Sequence, residues 1–295
     1  MASLIALGRR AFLTAGSALL SACSPLGLLN ALTPGDAGGR LAASDIAYGP
    51  DKRQRLDVYV PEQGAGSAPV MVFLYGGGWN NGERADYAFV GRAFAAQGFV
   101  TIIPDYRLVP QVRFPAFVED GALALRWVRD NIATYGGDAA GIALSGHSAG
   151  AHIAMMLALD RRFLARAGLP PSFVRSVAGL AGPYDFLPLD DPRSIAAFGE
   201  FPRPLDTQPI SFASARAPRA FLATGDEDET VRPRNSIALA AKLRAAGAAV
   251  ELKTYPGLGH AGILLALNNG FRGRAPVLAD IVRFAKAQDS LGGAL

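Results

Sequence analysis

From Ser44 onward the chain alternates short apolar runs with stretches in which apolar residues recur at helical spacing. Val70-Met71-Val72-Phe73-Leu74 and Phe99-Val100-Thr101-Ile102-Ile103 are apolar at nearly every position, the pattern of strands covered on both faces of a sheet. Between them, residues 86–97 predict a crossover helix. A second helix is predicted over 117–134, with Leu123, Trp127 and Ile132 on its buried side. Further strands are predicted at Ile142-Ala143-Leu144, near 174–180, at 219–224 and at 250–255, with helices after residue 148, over 235–246 and over 276–288. Two shorter runs, 46–48 and 56–60, flank the turn Asp51-Lys52-Arg53-Gln54 and predict an antiparallel hairpin at a sheet edge. The alternation predicts an α/β fold with a mostly parallel, doubly wound sheet and an antiparallel N-terminal edge. Ligand sites in such sheets lie at the carboxyl ends of the strands, so chemistry is sought there first.

Three strand ends carry polar or glycine-rich segments. Ile142-Ala143-Leu144 leads into Gly146-His147-Ser148-Ala149-Gly150, which opens an alanine-rich helical pattern. A serine on a sharp strand-to-helix turn stands clear of its backbone, and the crowding of that turn admits only glycine two residues either side. The helix start also aims free N–H groups at the place where negative charge would develop. Val70–Leu74 leads into Tyr75-Gly76-Gly77-Gly78-Trp79, where three glycines suit either a mobile loop or backbone N–H groups turned onto a ligand. A dinucleotide loop does not fit, because G-x-G-x-x-G spacing is absent. The strand at 219–224 leads into Gly225-Asp226-Glu227-Asp228-Glu229, of which one carboxylate need face inward. A nucleophilic serine requires a base, and the chain has 3 histidines. His147 is expected to point away from Ser148 on the tight turn, and His152 to pack or hydrogen-bond along the helix. His260, after the last strand, remains as the base.

The order Ser148, acid, His260 is that of α/β-hydrolases. Residues 45–290 resemble the esterase and lipase group of that fold, close to the hormone-sensitive-lipase-like and feruloyl-esterase-like carboxylesterases. Tyr75-Gly76-Gly77-Gly78-Trp79 resembles their His-Gly-Gly-Gly oxyanion motif, with Tyr75 in place of the usual histidine. Asp105-Tyr106-Arg107-Leu108, Pro110 and Phe114-Pro115 resemble a second family segment. Gly225-x-x-Asp228-x-x-Val231 resembles the acid motif and favours Asp228 over Asp226. The resemblance implies a serine carboxylesterase with the triad Ser148, Asp228 and His260, an oxyanion hole of Gly77, Gly78 and Ala149 amides, and neither metal nor organic cofactor. A small-molecule ester, with a short acyl or aryl group, is the expected substrate, and Trp79, Tyr184 and Phe186 are candidates for its pocket. The proline-rich segment 183–214 would form a small lid. Alternatives are a formamide hydrolase of the N-formylkynurenine type and a catalytically silent binding lipoprotein.

Composition narrows the setting. At 295 residues, half of them hydrophobic, the chain can bury a full core. The net charge of +4 comes from dispersed basic residues without a like-charge run, which argues against nucleic acid as a partner. A single cysteine excludes an internal disulfide. The first residues differ in kind. Arg9-Arg10-Ala11-Phe12-Leu13 resembles a twin-arginine export signal, and Leu20-Ser21-Ala22-Cys23 resembles a lipobox in which Cys23 receives lipid. Their apolar stretch is much shorter than the roughly 20 residues that span a bilayer. The expected organisation is an export signal over 1–23, a tether over 24–43 and a catalytic domain over 44–290, held by a lipid anchor at a membrane on the periplasmic side of a bacterial cell envelope.

Overall fold

The computed structural model describes residues 27, 33, 35–64 and 66–287. The export signal and Cys23 lie outside the described residues. Eight strands form one sheet: β1 (Gly39–Ala47), β2 (Arg55–Pro61), β3 (Ala68–Leu74), β4 (Val100–Pro104), β5 (Gly137–His147), β6 (Val174–Leu180), β7 (Arg219–Gly225) and β8 (Val250–Tyr255), in the order β1-β2-β4-β3-β5-β6-β7-β8. β2 runs antiparallel to both β1 and β4, and every pair from β4 to β8 is parallel. This is the mostly parallel sheet with an antiparallel N-terminal edge that the hydrophobic pattern predicts.

Helices α1 (Ala88–Ala96), α2 (Ala116–Asn131), α3 (Ala149–Leu159), α4 (Arg161–Arg166), α5 (Pro192–Phe198), α6 (Arg234–Ala245), α7 (His260–Leu265) and α8 (Val277–Lys286) connect the strands. None of the described helices is long and apolar enough to cross a membrane. The central strands β3 and β4 are buried along most of their length, as their unbroken apolar runs require. α3 is buried at every residue and packs against β3, β5, β6 and α2. On α2 Phe117, Val118, Ala124, Leu125 and Val128 are wholly buried, as is Ile132 just past its end, while Leu123 and Trp127 are half-buried.

Two expectations change. The segment 24–43 is not all tether: β1 begins at Gly39, Arg272 grips Asp36 with two bonds of 2.8 and 2.9 Å, and Asn268 donates to the Thr33 hydroxyl. The glycines that suggest a flexible linker serve close approach, since a Cβ on Gly39 would lie 2.3 Å from the Arg92 carbonyl. The part of β1 before Ile46 also escapes pattern reading because it is largely exposed and twice irregular in register. The second change is three short helices, α4, α5 and α7, too brief to show a helical period in the sequence. α5 lies inside the proline-rich segment 183–214, and α7 begins at His260 itself.

Candidate active site

β5 delivers Ser148 to the carboxyl edge of the sheet, where Leu74 pairs with Gly146 and His147 with Leu180. The serine has φ 55° and ψ −124°, a conformation that L-residues avoid. Such a residue costs on the order of 1–3 kcal/mol. Its N–H donates to the Leu180 carbonyl at 2.9 Å and its carbonyl accepts from His152 N–H at 3.1 Å. Complete burial of Ile153, Met155, Met156 and Leu157 on α3 contributes ~1.5–3 kcal/mol each. Packing of the helix therefore outweighs the strain at its start. A Cβ on Gly146 would meet the Gly150 carbonyl at 2.5 Å, and one on Gly150 the Leu74 carbonyl at 2.1 Å. Both flanking glycines are sterically required.

The three side chains selected from the sequence meet at this turn. His260 Nε2 lies 2.9 Å from Ser148 Oγ, and His260 Nδ1 lies 2.8 Å from Asp228 Oδ2. A carboxylate can only accept, so Nδ1 carries the proton and Nε2 is left to accept from the serine hydroxyl. Asp228 is 3% exposed, and its other oxygen accepts from the N–H groups of Thr230 at 3.0 Å and Val231 at 2.8 Å. Those bonds aim the remaining oxygen at the imidazole. Asp226 instead accepts from Gly257 N–H on the exposed side of the turn.

His147 departs from expectation. Its Nε2–H donates to the backbone carbonyl of His260 at 3.0 Å, and the two rings lie 4.7 Å apart. The side chain leans toward the base because β5 and the turn into α7 close on each other above Gly76, whose missing Cβ would sit 3.0 Å from His147 Nδ1. Burial and then the neighbouring His260 push its pKa down to about 3, so the ring is neutral. His152 behaves as expected: it is buried, donates to the Thr207 carbonyl at 2.8 Å, and has its pKa pushed down to about 4 by burial.

The glycine loop after β3 is fixed. Gly77 has φ 120° and Gly78 φ 59°. A Cβ on Gly77 would lie 2.2 Å from the Asn81 carbonyl, and one on Gly78 would lie 2.8 Å from Arg193 Cδ of α5. Tyr75, in the place of the usual histidine, is fully buried and stacks on Tyr87 and Tyr106 at 5.1 and 4.8 Å between ring centroids. Its hydroxyl donates to Asp105 Oδ1 at 2.7 Å and accepts from Arg53 Nη2 at 2.8 Å. The same nitrogen reaches the Gly82 carbonyl, while Tyr106 donates to the Tyr75 carbonyl. Burial, then Asp105, hold the Tyr75 phenol well above its ordinary pKa, so it remains protonated. A phenol anchored from below thus holds the loop, a function that Arg53 in the predicted hairpin turn gave no local signal of sharing.

Ser148, His260, Gly77, Gly78 and Ala149 open on one cavity of about 830 Å³. Trp79, Phe186, Leu264 and Leu265 supply apolar wall, and α5 contributes Arg193 and Ser194, with its N-cap Asp191 beside them. Trp79 closes this wall, packed edge-on against Phe198 at 4.8 Å and stacked on Phe186 at 6.1 Å. Tyr184 does not belong to the cavity: it is wholly buried, with its ring filling the space that side chains at Gly179 and Gly182 would need. The segment 183–214 borders the opening through α5 and Phe186. Among the described residues no three His, Cys, Asp or Glu side chains gather as metal ligands.

The BD-FAE family model matches residues 56–243, a span that holds the glycine loop, the serine turn and Asp228. The chain belongs to this family. It is 32% identical over 244 residues to the probable isoprenylcysteine alpha-carbonyl methylesterase ICMEL1 of Oryza sativa subsp. japonica, covering 75% of this chain and 57% of that one. It is 35% identical to esterase LipQ of Mycobacterium tuberculosis, covering 76% and 58%, and 35% identical to carboxylesterase NlhH of the same species, covering 71% of each. The chain therefore spans little more than half the length of the first two. Among solved structures it superposes on a bacterial heroin esterase with a TM-score of 0.71 at 25% identity, covering 92% of this chain and 90% of that one. It superposes on esterase B of a Lactobacillus at 0.76 and 21% identity, covering 93% of each. The chain shares the α/β-hydrolase fold with these esterases.

Proposed function

We propose that this BD-FAE protein is a serine carboxylesterase that acts through an acyl-enzyme. The observation that carries the reading is the unbroken chain Ser148–His260–Asp228, hydrogen-bonded at 2.9 and 2.8 Å and open to a partly apolar cavity. Ser148 Oγ attacks the ester carbonyl carbon while His260 Nε2 takes its proton, and Asp228 stabilises the imidazolium and keeps its tautomer. Negative charge on the carbonyl oxygen falls to the amides of Gly77, Gly78 and Ala149. One such donor is typically worth on the order of 10² to 10³ in rate. Collapse expels the alcohol with the proton from His260. Water, deprotonated by the same nitrogen, then releases the acid and restores the serine.

The wall of Trp79 and Phe186, backed by Phe198, supports short acyl or aryl groups over long chains. The esterase names of LipQ and NlhH support ester over formamide chemistry. The export reading, with Cys23 lipidated at the cell envelope, belongs to the same proposal and rests on the sequence motifs alone. p-Nitrophenyl acetate, butyrate and octanoate, with an N-formyl arylamine alongside, test the substrate class. Turnover should be greatest on the shorter esters, and faster formamide cleavage would replace the ester reading. An organophosphonate should label the wild type and leave Ser148→Ala unlabelled and inactive. Retained turnover in that variant would remove the mechanism. Intact mass from the native host reads acylation at Cys23.

A further inference from the structure

The edge of the sheet opposite the active site carries a second, differently built cavity. About 430 Å³ in volume, it is bordered by Arg161, Arg175, Arg216 and Arg219, with Pro171, Val174, Pro218 and Ala287 as its less polar surface. Arg219 is the first residue of β7, and Arg175 lies one residue into β6. Seven-residue strands thus separate the arginines from the serine edge by roughly 20 Å. Arg175 pairs with Asp138 at 3.7 Å. Among the described residues Arg161, Arg216 and Arg219 have no carboxylate within 4 Å. The Arg161 guanidinium donates to the Arg216 carbonyl, which draws the two residues together. Arg219 lies over the Phe284 ring at 4.6 Å, and its buried Nη1 has no hydrogen-bond partner.

A buried guanidinium N–H without an acceptor is costly, and guanidinium forks match phosphate oxygens two at a time. Helix C-termini favour basic residues through their dipole. That reason does not apply here, because Arg161 opens α4, Arg216 is in a loop, and Arg175 and Arg219 are in strands. The apolar floor separates the possible occupants. Free phosphate makes no use of proline, valine and alanine walls, whereas a phospholipid headgroup brings its glycerol and acyl stem with its phosphate.

β1 is antiparallel to β2, and β2 to β4, so β1 runs with the parallel strands and starts, at Gly39, on the arginine face, while Asp36 and Thr33 upstream of it pair with Arg272 and Asn268 after α7. At the catalytic mouth Asp190, Asp191 and Glu229 stand among Arg193, Arg232 and Arg234, so basic charge there is offset, whereas no carboxylate among the described residues lines the second cavity.

We propose that the Arg161–Arg175–Arg216–Arg219 cavity docks the phosphate headgroups of an anionic bilayer and turns the catalytic mouth away from the membrane. Esters then reach Ser148 from the aqueous side. The orientation rests on the envelope reading given above, while headgroup binding by the cavity is independent of acylation at Cys23.

The test uses the full chain carrying Cys23→Ser, so that no attached lipid contributes, and measures co-flotation with phosphatidylcholine vesicles with and without phosphatidylglycerol. A basic side chain near an anionic surface is worth roughly a fivefold change in partitioning. Arg161→Gln/Arg216→Gln, at two exposed positions, should therefore weaken binding to phosphatidylglycerol vesicles by about 25-fold. Binding to neutral vesicles and hydrolysis of p-nitrophenyl butyrate should stay as in the parent. Arg219→Lys, which retains charge but loses the fork, should lie between the two. Equal partitioning of parent and double variant on anionic vesicles would overturn the proposal. So would displacement by inorganic phosphate as effective, per phosphate, as added phosphatidylglycerol vesicles, since that marks a small-anion site. An unacylated Cys23 in material from the native host would remove the anchor alone, because the vesicle test is made without it.

Discussion

Replacing Tyr75 by phenylalanine removes one oxygen from beneath the glycine loop and leaves the stacked ring in place. The lost hydroxyl donates to Asp105 at 2.7 Å and accepts from Arg53 at 2.8 Å, so two hydrogen bonds to charged groups disappear. Bonds of that kind contribute about 1.5–3 kcal/mol each. The partners are not stranded: Asp105 keeps the Arg84 backbone N–H and guanidinium, and Arg53 keeps the Gly82 and Tyr106 carbonyls. The lower end of the range applies, giving about 3 kcal/mol for the pair. For a protein of this size that corresponds to roughly 6–12 °C in Tm. Because Gly77 and Gly78 follow directly, kcat should fall with little change in KM, as expected when donors to a developing oxyanion shift. Differential scanning fluorimetry and steady-state kinetics with p-nitrophenyl butyrate read both effects. A Tm within about 1 °C of wild type would show that Tyr75 acts as a ring alone, and the anchoring role of its hydroxyl would be wrong.

Asp228→Asn preserves shape but removes the acceptor that fixes the His260 tautomer; kcat should drop by about 10⁴, with phosphonate labelling slowed to match. Gly150→Ala should yield no folded protein, since its Cβ would sit 2.1 Å from the Leu74 carbonyl, whereas Gly66→Ala, with open space around it, should melt as wild type does. His147 and His152 are held neutral in the fold, with pKa pushed down to about 3 and about 4, against about 6.5 in an unfolded chain. Above pH ~6.5 both states leave them uncharged; as pH falls below that, the unfolded chain takes up protons that the folded protein refuses. Stability should then fall by up to ~1.4 kcal/mol per pH unit for each histidine, down to about pH 4. Urea midpoints between about pH 7 and 4.5 measure the slope, and His152→Gln, with a donor for the Thr207 carbonyl, should reduce it by about half. An unchanged slope would mean that His152 is protonated in the fold.

What could be read from residues in a row was what neighbours in a row enforce. Apolar periodicity reflects burial on one face or two, so the strands from β2 to β8 and the longer helices follow from it, as does the parallel sheet. The glycines around Ser148 are dictated by crowding within a single turn. Before Ile46, β1 carried no such signal because it is mostly exposed, and its Gly39 answers to Arg92, more than fifty residues away. Leu123 and Trp127 show the limit of periodicity on α2, which gives a face to within one residue and leaves the exact stripe to the partner surface.

Order along the chain was enough for the α/β class, the serine turn, and the edge of the sheet where chemistry gathers, because each depends on backbone sterics or on side chains only a few positions apart. Tertiary structure alone decided which groups touch. It brought His260 to a serine 112 residues earlier, leaned His147 onto the His260 carbonyl, buried Tyr184 behind the cavity, set Arg53 under the glycine loop, and gathered four arginines at the opposite edge. Contacts across such separations are selected by how strands stack and loops close, and their energies depend on distances that no stretch of neighbouring residues specifies.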